Sequence, residues 1–178
     1  IEGYLKFGEG CQIVALVDLY PDKAREKAAK HGLSVPVFKE VGALLQAAEF
    51  GLASVCLPPF EHAPATVQLL RAGKHVLVEK PIAVHAQDAR RMIDAYKAAR
   101  AEYRDLVFSA MFMQRTYGHY RRIKELIDDG ALGRLVRATW LITDWFRTQI
   151  YYDSGDWRAT WAGEGGGVLL NQCPHNLD

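Results

Sequence analysis

The sequence predicts an α/β fold in which helices cover both faces of a parallel sheet. Between residues 12 and 112, short apolar runs alternate with amphipathic segments through short connections, which is typical of parallel strands joined by crossover helices. The apolar runs are continuous rather than alternating, as expected for strands buried on both faces. The chain has 178 residues and 49% hydrophobic composition, enough for one core and part of a second.

Flanking residues define where each predicted element begins and ends. Pro21 begins the first helix and Gly32 follows its end. Pro58-Pro59 ends the third strand, because proline cannot donate to a sheet ladder. The predicted strands are residues 12–17, 35–38, 53–58, 75–78 and 106–112, and the predicted helices are residues 21–32, 39–50, 62–73 and 83–100.

The pattern changes near residue 115. Residues 117–133 predict a helix, and residues 134–145 predict a longer, alternating strand of a different, antiparallel sheet. Residues 145–167 predict a loop rich in aromatic side chains and arginine. We therefore expect two domains, a first over residues 1–114 and the start of a second over residues 115–178.

Composition excludes several classes of partner. Lys and Arg number 22 and Asp and Glu 21, a net charge of +1, which predicts neither a nucleic acid nor an anionic membrane as partner. No apolar run approaches the length of a membrane span. Three widely separated cysteines favour a reducing, cytoplasmic setting over a disulfide scaffold. The chain opens at Ile1 and stops in mid-pattern at Asp178, so we expect a segment truncated at both ends.

Three predicted strands end in residues suited to a ligand site, which in such sheets lies at the carboxyl ends of the strands. They are Asp18, Pro58-Pro59 and Glu79-Lys80-Pro81. Asp18 would accept both hydroxyls of an adenosine ribose and repel a 2′-phosphate, which favours NAD over NADP. The equal alternative is a cap for the following helix. The matching G-x-G-x-x-G loop is not in this sequence, and we expect it upstream of Ile1.

Two further stretches contain candidate catalytic groups. Lys80 would hold a substrate hydroxyl beside a cofactor. The alternative is a surface lysine at a turn. The peptide bond between Lys80 and Pro81 can be cis. In EGGGVLLNQCPHNLD, residues 164–178, the glycines permit close backbone approach. Asn171 and His175 would share a helix face, although Pro174 predicts a kink or a new helix start. His175 is either a proton acceptor or a structural histidine.

Three segments together resemble a known family. They are LVDLYPDKA, PPFEHAPATVQLLRAGKHVLVEKPIAV and GGGVLLNQCPHNLD, and they are similar to the glucose–fructose oxidoreductase, inositol dehydrogenase and MocA family (Gfo/Idh/MocA). The resemblance implies an N-terminal Rossmann domain, here without its first strand and Gly-rich loop, and then an α/β domain with an open, largely antiparallel sheet. It also implies hydride transfer between NAD, or alternatively NADP, and a sugar, a polyol or a related carbonyl compound.

The resemblance implies a role for each matching position. Lys80 of the E-K-P motif is implied to bind substrate and act in catalysis, and His175 is implied to be the acid/base. Asp178 is implied to contact substrate. The implied cofactor contacts are Asp18, Leu57, Pro58, His62, Glu79, Lys80, Trp157 and Arg158.

One position departs from the family pattern. Many members carry Asp four residues before the histidine, where this chain has Asn171. Asn can orient a substrate hydroxyl but cannot share a proton at neutral pH. Proton abstraction would therefore rest on His175, with Lys80 assisting. A sugar pocket is predicted from side chains that suit a polyhydroxylated ring, with ordinary packing as the alternative for the aromatic ones; these are Arg147, Tyr151, Tyr152 and Trp161.

Other functions remain open from the sequence. An NAD-dependent glycoside hydrolase of the same fold would show no net cofactor turnover. A sugar- or nucleotide-sensing regulator would have a disabled site, which Asn171 favours and Lys80 and His175 oppose; an inert segment is a third alternative. No metal site is predicted, because the six histidines are dispersed. A homo-oligomer would form through the C-terminal sheet.

Overall fold

A computed structural model describes residues 1–143 and 146–178 of the chain. The strands of these residues are parallel and form two separate sheets. In one sheet, β1 (Leu16–Val17) pairs with β2 (Val37–Phe38). In the other, the order is β3 (Leu52–Val55), β4 (His75–Glu79), β5 (Phe108–Met111).

Helices connect successive strands, as the alternating pattern predicts. Each link between strands of the two sheets contains one α-helix, and further short helices follow the last strand. The helices are α1 (Glu2–Leu5), α2 (Pro21–Lys30), α3 (Val41–Ala47), α4 (Pro59–Arg71), α5 (Ala86–Ala99), α6 (Gly118–Asp128), α7 (Gln149–Asp153), α8 (Trp161–Glu164), α9 (Val168–Asn171) and α10 (Pro174–Leu177), with 3-10 turns at Gly8–Gly10 and Met113–Thr116.

Helix α4 begins three residues earlier than predicted. Pro59 is its first residue and Pro58 caps it. A proline fits the first helical position because its missing N–H would have no partner there. The pair Pro58-Pro59 therefore ends one element and starts the next, and the loop between β3 and α4 is short.

The core surrounds β4, the central strand of the larger sheet. Val76 and Val78 are buried on this strand, and α4 contributes Leu69 and Leu70 to the same cluster. Met92 of α5 is also fully buried. Each such side chain stabilises the fold by roughly 1.5–3 kcal/mol on burial. The packing therefore fixes the strand whose end carries Glu79 and Lys80.

The first predicted strand is shorter in the structure. Of residues 12–17, only Leu16 and Val17 join a ladder. A strand needs a hydrogen-bonded neighbour along its length, and among the described residues β2 supplies one for two positions only. A groove of about 490 Å³, lined by residues of β1 and β3, separates the two sheets.

The prediction of a strand over residues 134–145 was wrong for the residues that the structure describes. Residues 134–143 form no strand, and Asp144 and Trp145 lie outside the described residues. Val136 and Leu141 are exposed. An alternating sequence becomes a strand only where a neighbour pairs with it, and the described chain places none there. No helix in the described ranges combines the length and apolar character that a bilayer span requires.

Candidate active site

The carboxyl end of β4 carries the charged pair that the sequence singled out. Val76 and Val78 lie in the core, whereas Glu79 and Lys80 are half-buried at the end of the strand. The Lys80 N–H donates to Glu79 Oε2 at 3.2 Å. The Lys80–Pro81 peptide bond is cis, the form that a tight turn before a proline can adopt. The charges therefore lie outside the core, beside the C-terminal segment.

A glycine-rich turn holds α8 and α9 against this region. Gly165 has φ of 76°, and a Cβ atom there would lie 2.6 Å from the Val84 carbonyl oxygen. A Cβ atom on Gly163 would overlap the backbone of Trp157. Both positions therefore require glycine. The close backbone approach predicted for the glycine run is present at Gly165.

The turn brings Asn171 to Lys80 across 91 residues of sequence. Lys80 Nζ donates to the Asn171 backbone oxygen at 2.6 Å and to its side-chain Oδ1 at 3.2 Å. Asn171 Nδ2 donates in turn to Glu164 Oε1. Asn171 is 6% exposed and Glu164 is 5% exposed. A lysine, an amide and a buried carboxylate thus form a continuous chain of hydrogen bonds.

Burial and neighbouring charges act on the pKa of Lys80 in opposing directions, and the net effect lowers it. Burial lowers the pKa of the ammonium, and the nearby carboxylates of Glu79 and Glu164 act against that change. Arg147 and Arg158 lower the pKa of Lys80 further, so both guanidinium groups lie within electrostatic reach of the lysine.

His175 is the second residue of a separate short helix, within electrostatic reach of Lys80. The structure breaks the chain into α9 and α10, with Pro174 at the first position of α10, as the proline predicted. The ring meets Phe112 edge-on, with centroids 6.0 Å apart. Nδ1 of His175 is buried and has no hydrogen-bond partner among the described residues. Burial and the ammonium of Lys80 lower the pKa of His175, which favours the neutral, proton-accepting ring.

Asp18 follows β1 and is half-buried. Its Oδ1 accepts the Tyr20 N–H at 2.8 Å. Tyr20 precedes α2, and no side chain caps that helix by a hydrogen bond. Asp18 therefore stabilises the turn after β1 and keeps its carboxylate at the carboxyl end of the strand.

His62 is enclosed between two loops. It is 1% exposed, with Nε2 2.7 Å from the Leu57 carbonyl oxygen and Nδ1 2.9 Å from the Pro81 carbonyl oxygen. The ring therefore joins the loop after β3, which contains half-buried Leu57 and Pro58, to the turn after β4. Because both ring nitrogens of His62 have partners, we expect the backbone of this segment, rather than the imidazole, to contact a cofactor.

Arg158 makes cation–π contacts with two aromatic rings. Its guanidinium carbon is 4.3 Å from the Trp157 ring centroid and 4.4 Å from the Tyr151 ring centroid. Nη1 donates to the Tyr151 hydroxyl at 3.0 Å. Arg147 also lies over Tyr151, at 5.1 Å, and the Tyr151 and Tyr152 rings meet edge-on at 5.2 Å. Five residues predicted to contact the cofactor or the sugar therefore form one cluster: Arg147, Tyr151, Tyr152, Trp157 and Arg158.

Two other predicted positions lie apart from this cluster or have other partners. Trp161 is 80% exposed. The carboxylate of Asp178 accepts two hydrogen bonds from the Arg115 guanidinium, of which Nε to Oδ2 measures 2.6 Å. The bond from Arg115 lowers the pKa of Asp178. The predicted substrate contact of Asp178 would therefore share the carboxylate with Arg115.

Glu164 and Arg115 were missed by the sequence reasoning. Glu164 directly precedes the three glycines at 165–167, and the sequence analysis predicts no role for it. A carboxylate directly before three glycines was the available signal, because a tight turn can bury the side chain at its start. Arg115 had no such signal, since its partner lies 63 residues away. Across residues 1–143 and 146–178, no group of three or more His, Cys, Asp or Glu is arranged to hold a metal ion.

Comparison with known protein families gives two matches. A sequence profile described as "Oxidoreductase family, NAD-binding Rossmann fold" matches residues 2–104. A second, "GFO/IDH/MocA C-terminal domain", matches residues 120–178. The expected Rossmann fold is therefore confirmed.

Individual proteins agree with these matches. A dTDP-3,4-didehydro-2,6-dideoxy-alpha-D-glucose 3-reductase of Streptomyces violaceoruber is 35% identical over 63% of this chain and 31% of its own length. An inositol 2-dehydrogenase of Ralstonia nicotianae is 30% identical over 70% of this chain and 36% of its own.

A solved structure shows the same fold. The WlbA dehydrogenase of Bordetella pertussis, in complex with NADH and UDP-GlcNAcA, superposes with a TM-score of 0.84 at 24% identity. The superposition covers 99% of this chain and 49% of the dehydrogenase. The chain thus spans about a third of the two curated relatives and half of the solved structure.

Proposed function

Because the chain belongs to the Gfo/Idh/MocA family of NAD-binding oxidoreductases, we propose that its protein transfers a hydride between a nicotinamide cofactor and a substrate CH–OH group. The observation that carries the proposal is the contact between Lys80 and Asn171 at the end of β4. That contact joins the E-K-P turn to the segment that contains His175. A proton donor and a proton acceptor therefore occupy one site at the carboxyl end of a parallel sheet.

His175 and Lys80 have complementary roles in the proposed proton transfer. The neutral His175 ring takes the hydroxyl proton of the substrate, and its lowered pKa keeps it unprotonated at neutral pH. The Lys80 ammonium holds the same oxygen and stabilises the charge that develops on it. Asn171 orients Lys80 through the two hydrogen bonds. These groups position the substrate and move its proton.

The residues present fit a dinucleotide. Asp18 offers a half-buried carboxylate at the end of β1, where a ribose diol would bind and a 2′-phosphate would be repelled. The backbone of Leu57 and Pro58 and the charged Glu79 lie at the ends of the neighbouring strands. Trp157 and Arg158 complete the proposed cofactor contacts. When bound, the nicotinamide supplies the hydride acceptor or donor. We propose NAD, with NADP as the weaker alternative.

A polyhydroxylated ring is the proposed substrate class. The two curated relatives act on inositol and on a dTDP-linked keto sugar, as their names state. Arg147, within electrostatic reach of Lys80, supplies a cation for such a ring, and Tyr152, packed on Tyr151 in the same cluster, supplies an aromatic face. Asp178 is proposed as a further substrate contact. The relatives named above lend no support to a glycoside hydrolase or a regulator.

The test measures hydride transfer by the longest form of the protein that carries this sequence. NAD reduction is followed at 340 nm over a panel of sugars, polyols and sugar nucleotides, and NADP is compared. Lys80→Met is the diagnostic variant, and Lys97→Met, on the exposed face of α5, is the matched control. We expect turnover by wild type and control, and a loss of kcat of about 100-fold or more in Lys80→Met.

Two outcomes would contradict the proposal. One is release of an aglycone from a glycoside without net NAD reduction, since that result would indicate a hydrolase. The other is binding of NAD with no turnover of any compound in the panel, since that result would indicate a regulator. Equal activity of Lys80→Met and Lys97→Met would remove the role given to Lys80.

Location and assembly complete the proposal. A reducing, cytoplasmic setting is supported by Cys11, Cys56 and Cys173, all free thiols. A homo-oligomer through the sheet of the C-terminal domain remains a proposal, which light scattering on the longest form would test.

A further inference from the structure

Among the described residues, hydrogen bonds rather than an ion pair hold the buried carboxylate of Glu164. Its side chain is 5% exposed, and none of the described Lys, Arg or His side chains lies within ion-pair distance of it. A buried carboxylate is costly unless charge or hydrogen bonds compensate it. Two N–H donors meet it instead, Ala159 N at 3.0 Å to Oε2 and Asn171 Nδ2 to Oε1.

The local backbone is arranged to make these bonds. Ala159 has φ of 55°, a left-handed conformation that is unfavourable for a non-glycine residue. In that conformation its N–H donates to Glu164. Thr160 caps α8 by accepting the Gly163 N–H at 3.0 Å. The chain thus accepts strain at one residue to hold the carboxylate beside Asn171.

Glu164 determines which end of the Asn171 amide faces Lys80. An ionised carboxylate can only accept hydrogen bonds, so it must bind the NH₂ end of the amide. The oxygen end is then directed to Lys80 Nζ, 3.2 Å away. A reversed amide would place an NH₂ group against the ammonium, and two donors cannot bond each other.

We propose that Glu164 is a positioning residue for Lys80, acting through Asn171 to supply the negative charge that an Asp at position 171 would otherwise supply. The inference rests on the proposed function for its catalytic consequence. Asn171 is neutral, and the buried charge lies one hydrogen bond further from Lys80, on Glu164. The carboxylate aims the ammonium at the substrate oxygen and favours its protonated form.

The electrostatics of Lys80 agree with this geometry. Burial lowers the pKa of Lys80, and the Glu164 and Glu79 carboxylates oppose that shift. Neutralising Glu164 should therefore lower the pKa of Lys80 further, and its ammonium should lose its proton at a lower pH.

The test exchanges the charge between the two positions. Glu164→Gln removes the charge and keeps the shape, and Asn171→Asp adds a second carboxylate beside the first. The double variant Glu164→Gln/Asn171→Asp moves the charge to position 171, with the Gln NH₂ donating to the new carboxylate. Glu61→Gln, at an exposed position of α4, is the matched control. Circular dichroism and thermal unfolding check that each variant folds.

Two readouts are measured on the longest form of the protein. The pH dependence of kcat reports Lys80 in turnover, and the Lys80 side-chain NMR titration reports its pKa without turnover. We expect Glu164→Gln to shift both to lower pH and to reduce kcat by up to about 100-fold. The double variant should recover most of both losses, and Glu61→Gln should resemble wild type.

Specific outcomes would contradict the positioning role of Glu164. An unchanged Lys80 titration in Glu164→Gln, or a double variant as impaired as the two single variants combined, would overturn it. If wild type shows no hydride transfer, the proposed function fails, and the NMR titration still tests the link between Glu164 and Lys80.

Discussion

Burial lowers the pKa values of both Lys80 and His175, and both groups also feel the carboxylate of Glu79. The two cations oppose each other, because the ammonium of Lys80 further lowers the pKa of His175. Over the neutral range this arrangement leaves Lys80 protonated and His175 neutral. One group can then donate a proton or a hydrogen bond while the other accepts a proton.

The pH profile of substrate oxidation should reflect these two groups. On the acid side, kcat/KM rises as His175 loses its proton, at a pH below the ordinary value of about 6.5 because its pKa is lowered. On the alkaline side it falls as Lys80 loses its proton, below the ordinary value of about 10.5. Steady-state kinetics from pH 4 to 11 would locate both limbs, whose form follows from one acid and one base.

The variants His175→Asn and Lys80→Met identify which side chain causes each limb of the pH profile. The acid limb should disappear with the first variant and the alkaline limb with the second. An acid limb above pH 7 in wild type would contradict the direction of the His175 shift.

At the scale of the elements, helices, strands and turns position these residues. The turn between α8 and α9 has the strictest requirement for glycine. Gly165→Ala would force a non-glycine residue to φ of 76° and bring its Cβ atom to 2.6 Å from the Val84 carbonyl oxygen. We expect a loss of unfolding free energy of about 2 kcal/mol or more, measured by urea denaturation. The turn would also move Asn171, so hydride transfer should fall.

Gly167→Ala is the control within the same run of glycines. Nothing lies within 4 Å of a Cβ atom at this position, and its φ of −85°, with ψ of −147°, lies outside the left-handed region. Gly167→Ala should therefore lose less unfolding free energy than Gly165→Ala. Equal losses in both variants would show that flexibility of the run, rather than the contact at Val84, is what matters.

The elements around β4 could be predicted from the sequence. The elements after residue 115 could be predicted only in part. Val76 and Val78 lie in a continuous apolar run with clear helix signals on both sides, and local pattern and burial agree there. The segment 134–143 has an equally regular pattern and forms no strand, because strand formation depends on a neighbour that its own sequence does not specify. Glu164 escaped prediction for a similar reason, since its own sequence does not specify that Ala159 and Asn171 donate hydrogen bonds to its carboxylate.

At the scale of the whole molecule, the described residues form two sheets that share no ladder hydrogen bonds. β4 has partners on both sides and buried side chains at Val76 and Val78, whereas β1 and β2 pair over two residues. Hydrogen exchange on this chain should therefore be slowest in β4, and we expect β1 and β2 amides to exchange at least about tenfold faster. Mass spectrometry with peptides covering each strand would measure the difference.

Uniform exchange across both sheets would contradict this prediction and indicate one cooperative unit. The boundary between residues 114 and 115 stays a prediction. It would be tested by the same experiment, because a separate second unit should exchange independently of β4.

The hydrogen bond between Asn171 and Glu164 also constrains how the two positions change together during evolution. If the charge is needed once, a relative with Asp at the position of Asn171 gains nothing from a second buried carboxylate at the position of Glu164, and the pair would repel. Substitutions at the two positions should therefore be correlated, with one acid retained between them. The hydrogen bond between Asn171 and Glu164 in this chain therefore predicts covariation of the two positions among related sequences.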